Sequence, residues 1–246
     1  MAHVDEGLLI HRIRSPKPNS QVIVAESFPV TSFGDINSAR TVTVGINPSV
    51  DEFRSRAKGR PVLSAHAKRF VDREVLGVGD DELPTVGEAK RILEGNHRYF
   101  DLNPYHWFNG LQKYALDSFG LSFQNGTTAH LDLVQWATQP VWRRISEPGL
   151  KTKLVETDRE FLREVLVQKA PELVLLNGAF VSGEFTRQGL FKVERETEIK
   201  GAERKLMIVE GTVLGAPAIG WNMNIQAQNT AADRERLRDR LALLNR

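Results

Sequence analysis

Cysteine is absent from the 246 residues. That excludes disulfides, thiolate zinc sites, iron–sulfur clusters and a cysteine nucleophile, and it fits a reducing cytoplasm, the location expected here. No stretch approaches the ~18 consecutive apolar residues of a membrane span, so no membrane association is expected. Residues 1–10 carry Asp5 and Glu6 where a secretory leader needs basic residues, and they lack its long apolar run. Charge of one sign is missing too: 33 Lys and Arg against 31 Asp and Glu leave a formal +2. A protein that coats DNA is usually more basic, so net charge neither demands nor excludes nucleic acid. No Gly-x-Gly-x-x-Gly or phosphate-loop pattern follows any predicted strand. Repeats of solenoid length and low-complexity tracts are lacking as well. No two of His3, His11, His66, His97, His106 and His130 stand i, i+4 as a metal pair with a carboxylate. Neither a cofactor nor a metal is therefore expected.

What is present reads as an ordinary globular chain, 41% apolar and 26% charged, long enough to bury a sizeable core. One domain over 1–246 is expected, a monomer, with 1–39 as an N-terminal extension. Pro16 and Pro18 make 15–20 an extended connection. The β-branched runs 21–25 and 40–46 predict strands, with a hairpin-like turn at Phe33-Gly34-Asp35 between them. Residues 50–96 read as helical, with a capping box from Thr85 to Glu88. A further helix is expected over 107–119, then a turn at 124–127 and a short strand over 131–135. The stretch 153–169 predicts a helix with Leu154, Phe161, Leu162, Val165 and Leu166 on one face. The continuous apolar run 172–176 predicts a strand covered on both faces. Helix from Gly178, strands near 191–196, 205–209 and 217–219, and a charged helix from about 231 complete the pattern. Strands alternating with helices argue for a three-layer α/β/α fold around a central, mostly parallel sheet. In such sheets the site lies past the carboxyl ends of the strands.

The first such loop is Gly45-Ile46-Asn47-Pro48-Ser49. Gly45 permits close approach of a ligand to the backbone. Pro48 holds Asn47 extended, and Ser49 can cap the following turn. Asp51, Glu52 and Phe53 come next, then a basic run of Arg54, Arg56, Lys58 and Arg60.

Three ordered segments resemble the uracil-DNA glycosylase superfamily. Gly45-Ile46-Asn47-Pro48-Ser49 is similar to the first motif of its mismatch-specific branch. Leu131-Asp132-Leu133-Val134, leading to Thr138 and Pro140, stands where that family has its base-recognising strand. Val174-Leu175-Leu176-Asn177-Gly178 is similar to its later strand. The resemblance spans roughly residues 40 to 220 and implies hydrolysis of the N-glycosidic bond of uracil, or another deaminated base, in DNA. Such chemistry asks a protein to place a water, stabilise charge and hold an extruded base.

On this resemblance Asn47 positions water, in the place where other branches carry Asp. Asp132 assists as base or base-reader, and Glu52, ahead of Asp51, is the alternative carboxylate. Gly45, Ile46, Ser49 and Phe53 would line the base pocket, Phe53 by stacking, and the small Ser49 implies a roomy one. The second family motif, usually His-Pro-Ser or Asn-Pro-Ser, is replaced by Trp221-Asn222-Met223-Asn224-Ile225-Gln226. Asn222 would contact the base there, Met223 or Ile225 would wedge into the duplex, and Arg204 or Lys205 would supply the charge lost with the imidazole. Arg54, Arg56 and Lys58 would meet phosphates, and His130 would line the site or the core. Uracil-containing DNA is thus the expected partner. Two alternatives stay open at this point: a DNA-binding relative without catalysis, and a hydrolase of free nucleosides or other small molecules.

Overall fold

The computed structural model describes residues 2–200, 205–226 and 230–245. A six-stranded sheet has the order β2-β1-β3-β6-β5-β4, with β1 at Thr41–Gly45, β2 at Thr128–Asp132, β3 at Leu173–Asn177, β4 at Phe191–Lys200, β5 at Lys205–Val213 and β6 at Ala216–Trp221. Strands β1, β3 and β6 run parallel, in the register Val42↔Val174 and Val174↔Ala218. Every residue of β1 and β2 is buried, so both faces of these strands are covered, the condition that defines three layers. The α/β/α class read from alternating elements is the class found.

The last three strands depart from the alternation. β5 pairs antiparallel with both β4 and β6, so a meander extends the parallel strands on one side. The β5–β6 turn uses Leu214 at φ 51° and Gly215 at φ 89°, the left-handed pair of a two-residue hairpin. Asn-Gly announces such a turn and Leu-Gly does not, because leucine pays a steric penalty there. The hairpin was therefore illegible. Opposite the β4 bulge between Val193 and Arg195, a side chain on Gly211 would come within 2.0 Å of the Lys192 carbonyl, so the bulge requires glycine.

The chain gathers into two compact units, each assembled from three segments. One contains Met1–Asn37, Ile46–Tyr105 and Leu131–Lys169. Its helices are α1 (Glu6–Ile13), the single turn α2 (Arg73–Leu76), α3 (Val86–His97) and α5 (Leu150–Lys169). The Thr85–Glu88 capping box forms as expected and contributes about 1 kcal/mol. Thr157, inside α5, caps nothing and donates back to the Lys153 carbonyl at 2.8 Å. Residues 21–25 contribute only an isolated bridge, Ile23 to Thr138. Ile23 is instead buried in a cluster with Val134, Trp136, Trp142, Ile145 and Leu154. Strand propensity measures fit to a half-buried surface, and here that surface is a core wall. Residues 50–85 are mostly irregular because Gly59, Pro61, Gly77, Gly79 and Pro84 interrupt any helical period.

The other unit contains Ser38–Gly45, His106–His130 and Ala170–Arg246, with α4 (Phe108–Tyr114), α6 (Ala179–Arg187) and α7 (Ala231–Leu244). β6 approaches α6 so closely that a side chain on Gly220 would lie 2.5 Å from Ser182 Oγ. Asn177, at the end of β3, is buried and accepts from Trp221 Nε1 at 3.1 Å and Ile225 N at 3.4 Å. It also donates to Gln226 Oε1 at 2.9 Å. Asn177→Ala is expected to lower stability by about 1–3 kcal/mol, because the buried indole N–H loses its acceptor. Urea unfolding measures the loss, and an unchanged midpoint would show that water replaces the amide.

Among the described residues no helix is long and apolar enough to cross a membrane.

Candidate functional site

Beyond Gly45 and Asp132 the chain stays paired although neither segment is regular strand. Val134 N donates to the Ile46 carbonyl at 2.9 Å, and Ser49 bridges Thr138 in the parallel sense. The Ile46–Ser49 loop and the 133–138 segment therefore run side by side in one direction. Asn47 is fixed across this seam. Its Nδ2 donates to Thr138 Oγ1 at 3.0 Å and to the Pro48 carbonyl at 2.9 Å. Both amide hydrogens are thereby occupied, and Oδ1 has no hydrogen-bond partner among the described residues. What Asn47 can offer is an acceptor for the hydrogen of a water or of a ring N–H. Ser49 accepts from Asp51 N at 3.1 Å, the cap expected from its position.

The turn at Val50–Glu52 sends two neighbouring carboxylates to different fates. Asp51 accepts from Tyr105 Oη at 2.7 Å, from Arg56 Nε at 2.9 Å and from Arg60. Burial opposes its ionisation, but these donors outweigh it and hold the carboxyl below the usual range. Glu52 is 3% exposed. Burial raises its pKa to about 8, the hydrogen bond from Tyr99 Oη at 2.8 Å and the Arg69 guanidinium offset this only in part, and the negative charges of Asp132 and Asp51 add to it. Glu52 thus holds its proton at neutral pH while Asp51, one residue away, is ionised. Environments that push two carboxyls apart in this way are characteristic of acid–base sites. Glu52 also holds Tyr99, whose own ionisation is pushed upward by burial and by the Glu52 charge.

Asp132 closes β2, buried at 4% exposure. Its carbonyl accepts from Gln135 Nε2 at 2.8 Å. Gln135 Oε1 is buried with no hydrogen-bond partner among the described residues. Asn47, Glu52 and Asp132 thus lie in one unit, with Thr138, Gln135, Tyr99, Tyr105 and Arg69 around them. Of these five only Thr138 stood in a segment marked by the sequence; Gln135, Arg69 and the two tyrosines carry no sequence signal of a role.

Several expected roles fail on geometry. Phe53 is 2% exposed and stacked on Phe70 with centroids 5.5 Å apart, so it is a core ring and not an open platform for a base. Arg54 makes a two-pronged pair with Glu26, at 2.6 and 3.0 Å, which removes it from phosphate contact. Asn222, the residue after β6, lies against β5: its Oδ1 accepts from Met207 N at 3.0 Å and its Nδ2 donates to the Lys205 carbonyl at 3.1 Å. Both ends of that amide prolong a ladder instead of reading a base. Met223 and Ile225 are each 1% exposed, packed as core and not as a wedge. His130 is buried, hydrogen-bonded to Thr43 Oγ1 at 2.7 Å and flanked edge-on by Trp107 and Phe108, so it is a core histidine. Lys205 pairs with Glu198 at 3.2 Å, and Arg204 lies outside the described residues. Gly45 and Ile46 keep their expected places, Gly45 buried as the last residue of β1 and Ile46 half-buried against the Trp136 cluster. Lys58 is exposed.

Among the described residues no group of three His, Asp or Glu could hold a metal ion. No protein-family model matches the chain, and no curated protein matches it significantly.

Proposed function

We propose that the protein is a DNA glycosylase that hydrolyses the N-glycosidic bond of uracil or a related deaminated base. The observation that carries this reading is the paired seam of Ile46–Ser49 and 133–138, with Asn47 tied to Thr138 and the carboxyls of Glu52 and Asp132 electrostatically coupled. Asn47 Oδ1 orients water, whose oxygen bonds to C1′ as the C1′–N bond breaks and whose proton passes to a carboxylate. The bond's electron pair leaves with the base. A buried site in which charges are already arranged needs no strong nucleophile, because the developing oxocarbenium carries most of the reactivity. The bound base is one already extruded from the stack, which favours damaged or mispaired nucleotides.

The test uses oligonucleotides carrying one uracil, hypoxanthine, xanthine or thymine mispair, incubated with the protein and cleaved with alkali. Release from at least one is expected, reduced about 100-fold or more in Asn47→Ala and Asp132→Asn. A wild-type chain that cleaves none of them overturns the reading.

The second reading, a DNA-binding relative without catalysis, gains from Asn222. Its amide is held by β5 backbone and offers the departing base no donor. Binding of uracil-containing DNA without base release would select it.

A further inference from the structure

Four side chains gather over the Val50–Glu52 turn. Arg56 and Arg60 both reach the Asp51 carboxylate, and Arg69 donates to the Asp51 carbonyl at 3.0 Å. The Tyr105 ring carries the guanidiniums of Arg56 at 5.6 Å and Arg69 at 5.3 Å from its centroid. Arg60 holds its position at φ +47°, following Gly59 at φ +80°. A left-handed arginine costs on the order of 1 kcal/mol, and such strain persists only where the surroundings enforce it. Here it folds the 57–60 turn back so that Arg60 meets Asp51. The Nε atoms of Arg60 and Arg69 are buried with no hydrogen-bond partner among the described residues. Two guanidiniums share the ionised Asp51 carboxylate, and Arg69, besides the Asp51 carbonyl, has its Nε 3.9 Å from Glu52, whose carboxyl burial keeps protonated at neutral pH. Positive charge is left over, and its accessible part is on Arg56 and Arg60, 62% and 32% exposed, above the more deeply set Arg69 at 16%. Planar donors held in fixed orientation on a rigid ring suit an anion with several oxygens.

We propose that Arg56, Arg60 and Arg69, gathered on Asp51 and Tyr105, form a phosphate site that takes the phosphodiester of a nucleic-acid strand. The site would replace Arg54 in the set of phosphate contacts expected from the sequence. It rests on the proposed action on DNA only for the source of the phosphate; the excess charge stands without it.

The experiment measures binding of undamaged labelled duplex and single strand between about 50 and 200 mM salt, where each phosphate contact adds roughly 0.9 to the slope of log K against log salt on duplex. Arg56→Gln/Arg60→Gln is expected to flatten the slope by about 2 and to weaken low-salt binding about tenfold or more. Arg91→Gln/Arg98→Gln removes the same charge from exposed positions on α3 and at its C-terminal cap and is expected to leave the slope unchanged. Equal slopes in the two double variants, both folded by thermal melting, overturn the site. So does a wild type that is protected from melting by inorganic phosphate or deoxyuridine monophosphate but binds neither DNA. Because no base is cleaved in this assay, a site that fails beside normal base release sinks only this inference. Salt-sensitive binding without base release sinks only the catalytic reading.

Discussion

Glu52→Gln is expected to make the folded protein more stable at about pH 9, by on the order of 5 kcal/mol, and no more stable at about pH 4. The carboxyl ordinarily ionises near 4.5, and in the folded chain burial raises this to about 8. Below the lower value both folded and unfolded chains carry the proton, and Glu52 has no effect on the balance. Between the two values the unfolded chain releases its proton and the folded chain does not. The folded state therefore loses ground steadily as pH rises, until Glu52 ionises in place above about 8. Glutamine has nearly the same shape, still accepts the Tyr99 hydroxyl and never ionises, so it removes the whole penalty. Urea unfolding of both proteins across this range provides the check. Parallel profiles would mean that Glu52 is ionised in the folded state at neutral pH.

The same group makes a prediction for catalysis. A carboxyl that accepts the proton of water must first lose its own. If Glu52 is that base, base release climbs as pH approaches 8 and levels above it, and Glu52→Gln flattens the profile while improving stability. A destabilised group kept in a buried site is the usual relation between activity and stability. A variant that is stabler and equally active would instead leave Asp132 as the base.

Arg12→Met is expected to cost about 3–5 kcal/mol, the largest loss among the substitutions considered. Arg12 donates to Asp158 Oδ1 at 2.6 Å, with side chains 9% and 0% exposed, and its guanidinium lies 5.9 Å from the Trp136 ring and 5.8 Å from that of Phe161. Burial shifts both partners toward neutrality, lowering Arg12 and raising Asp158 against their mutual attraction. The pair is thus costly to bury yet more costly to break, since methionine leaves an uncompensated carboxylate. Asp158 Oδ2 also accepts Gln135 N at 2.7 Å. Arg12→Met/Asp158→Asn keeps that acceptor, removes both charges, and is expected to recover more than half of the loss. Equal midpoints for the single and double variants would show that the charge itself does not matter. Through Gln135 the pair also steadies the chain three residues past Asp132, so base release should fall in the single variant and return with stability in the double.

How much of this was legible follows from the range of each interaction. The 172–176 run fixed β3 within one residue, the Thr85–Glu88 box fixed the start of α3, and Gly45-Ile46-Asn47-Pro48-Ser49 marked the loop after β1. Each is a local pattern, set by backbone chemistry a few residues long. The 21–25 run had the same local credentials as a strand and became core wall, because pairing needs a neighbour that the run cannot specify. Asn222 and Phe53 had suitable chemistry for a base pocket, but their neighbours claim them, one as a ladder partner of β5 and the other as a ring of the Phe70 stack.

The order of apolar and polar residues by itself determined the α/β class, most of the helices and the strand ends where chemistry could sit. It could not determine which carboxyl keeps a proton. Asp51 and Glu52 are adjacent and chemically alike, and their difference comes from Tyr105, Arg56 and Arg60 around one and from burial with Tyr99 around the other. Solvation and charge act through space over a few ångströms, so only the folded chain decides them.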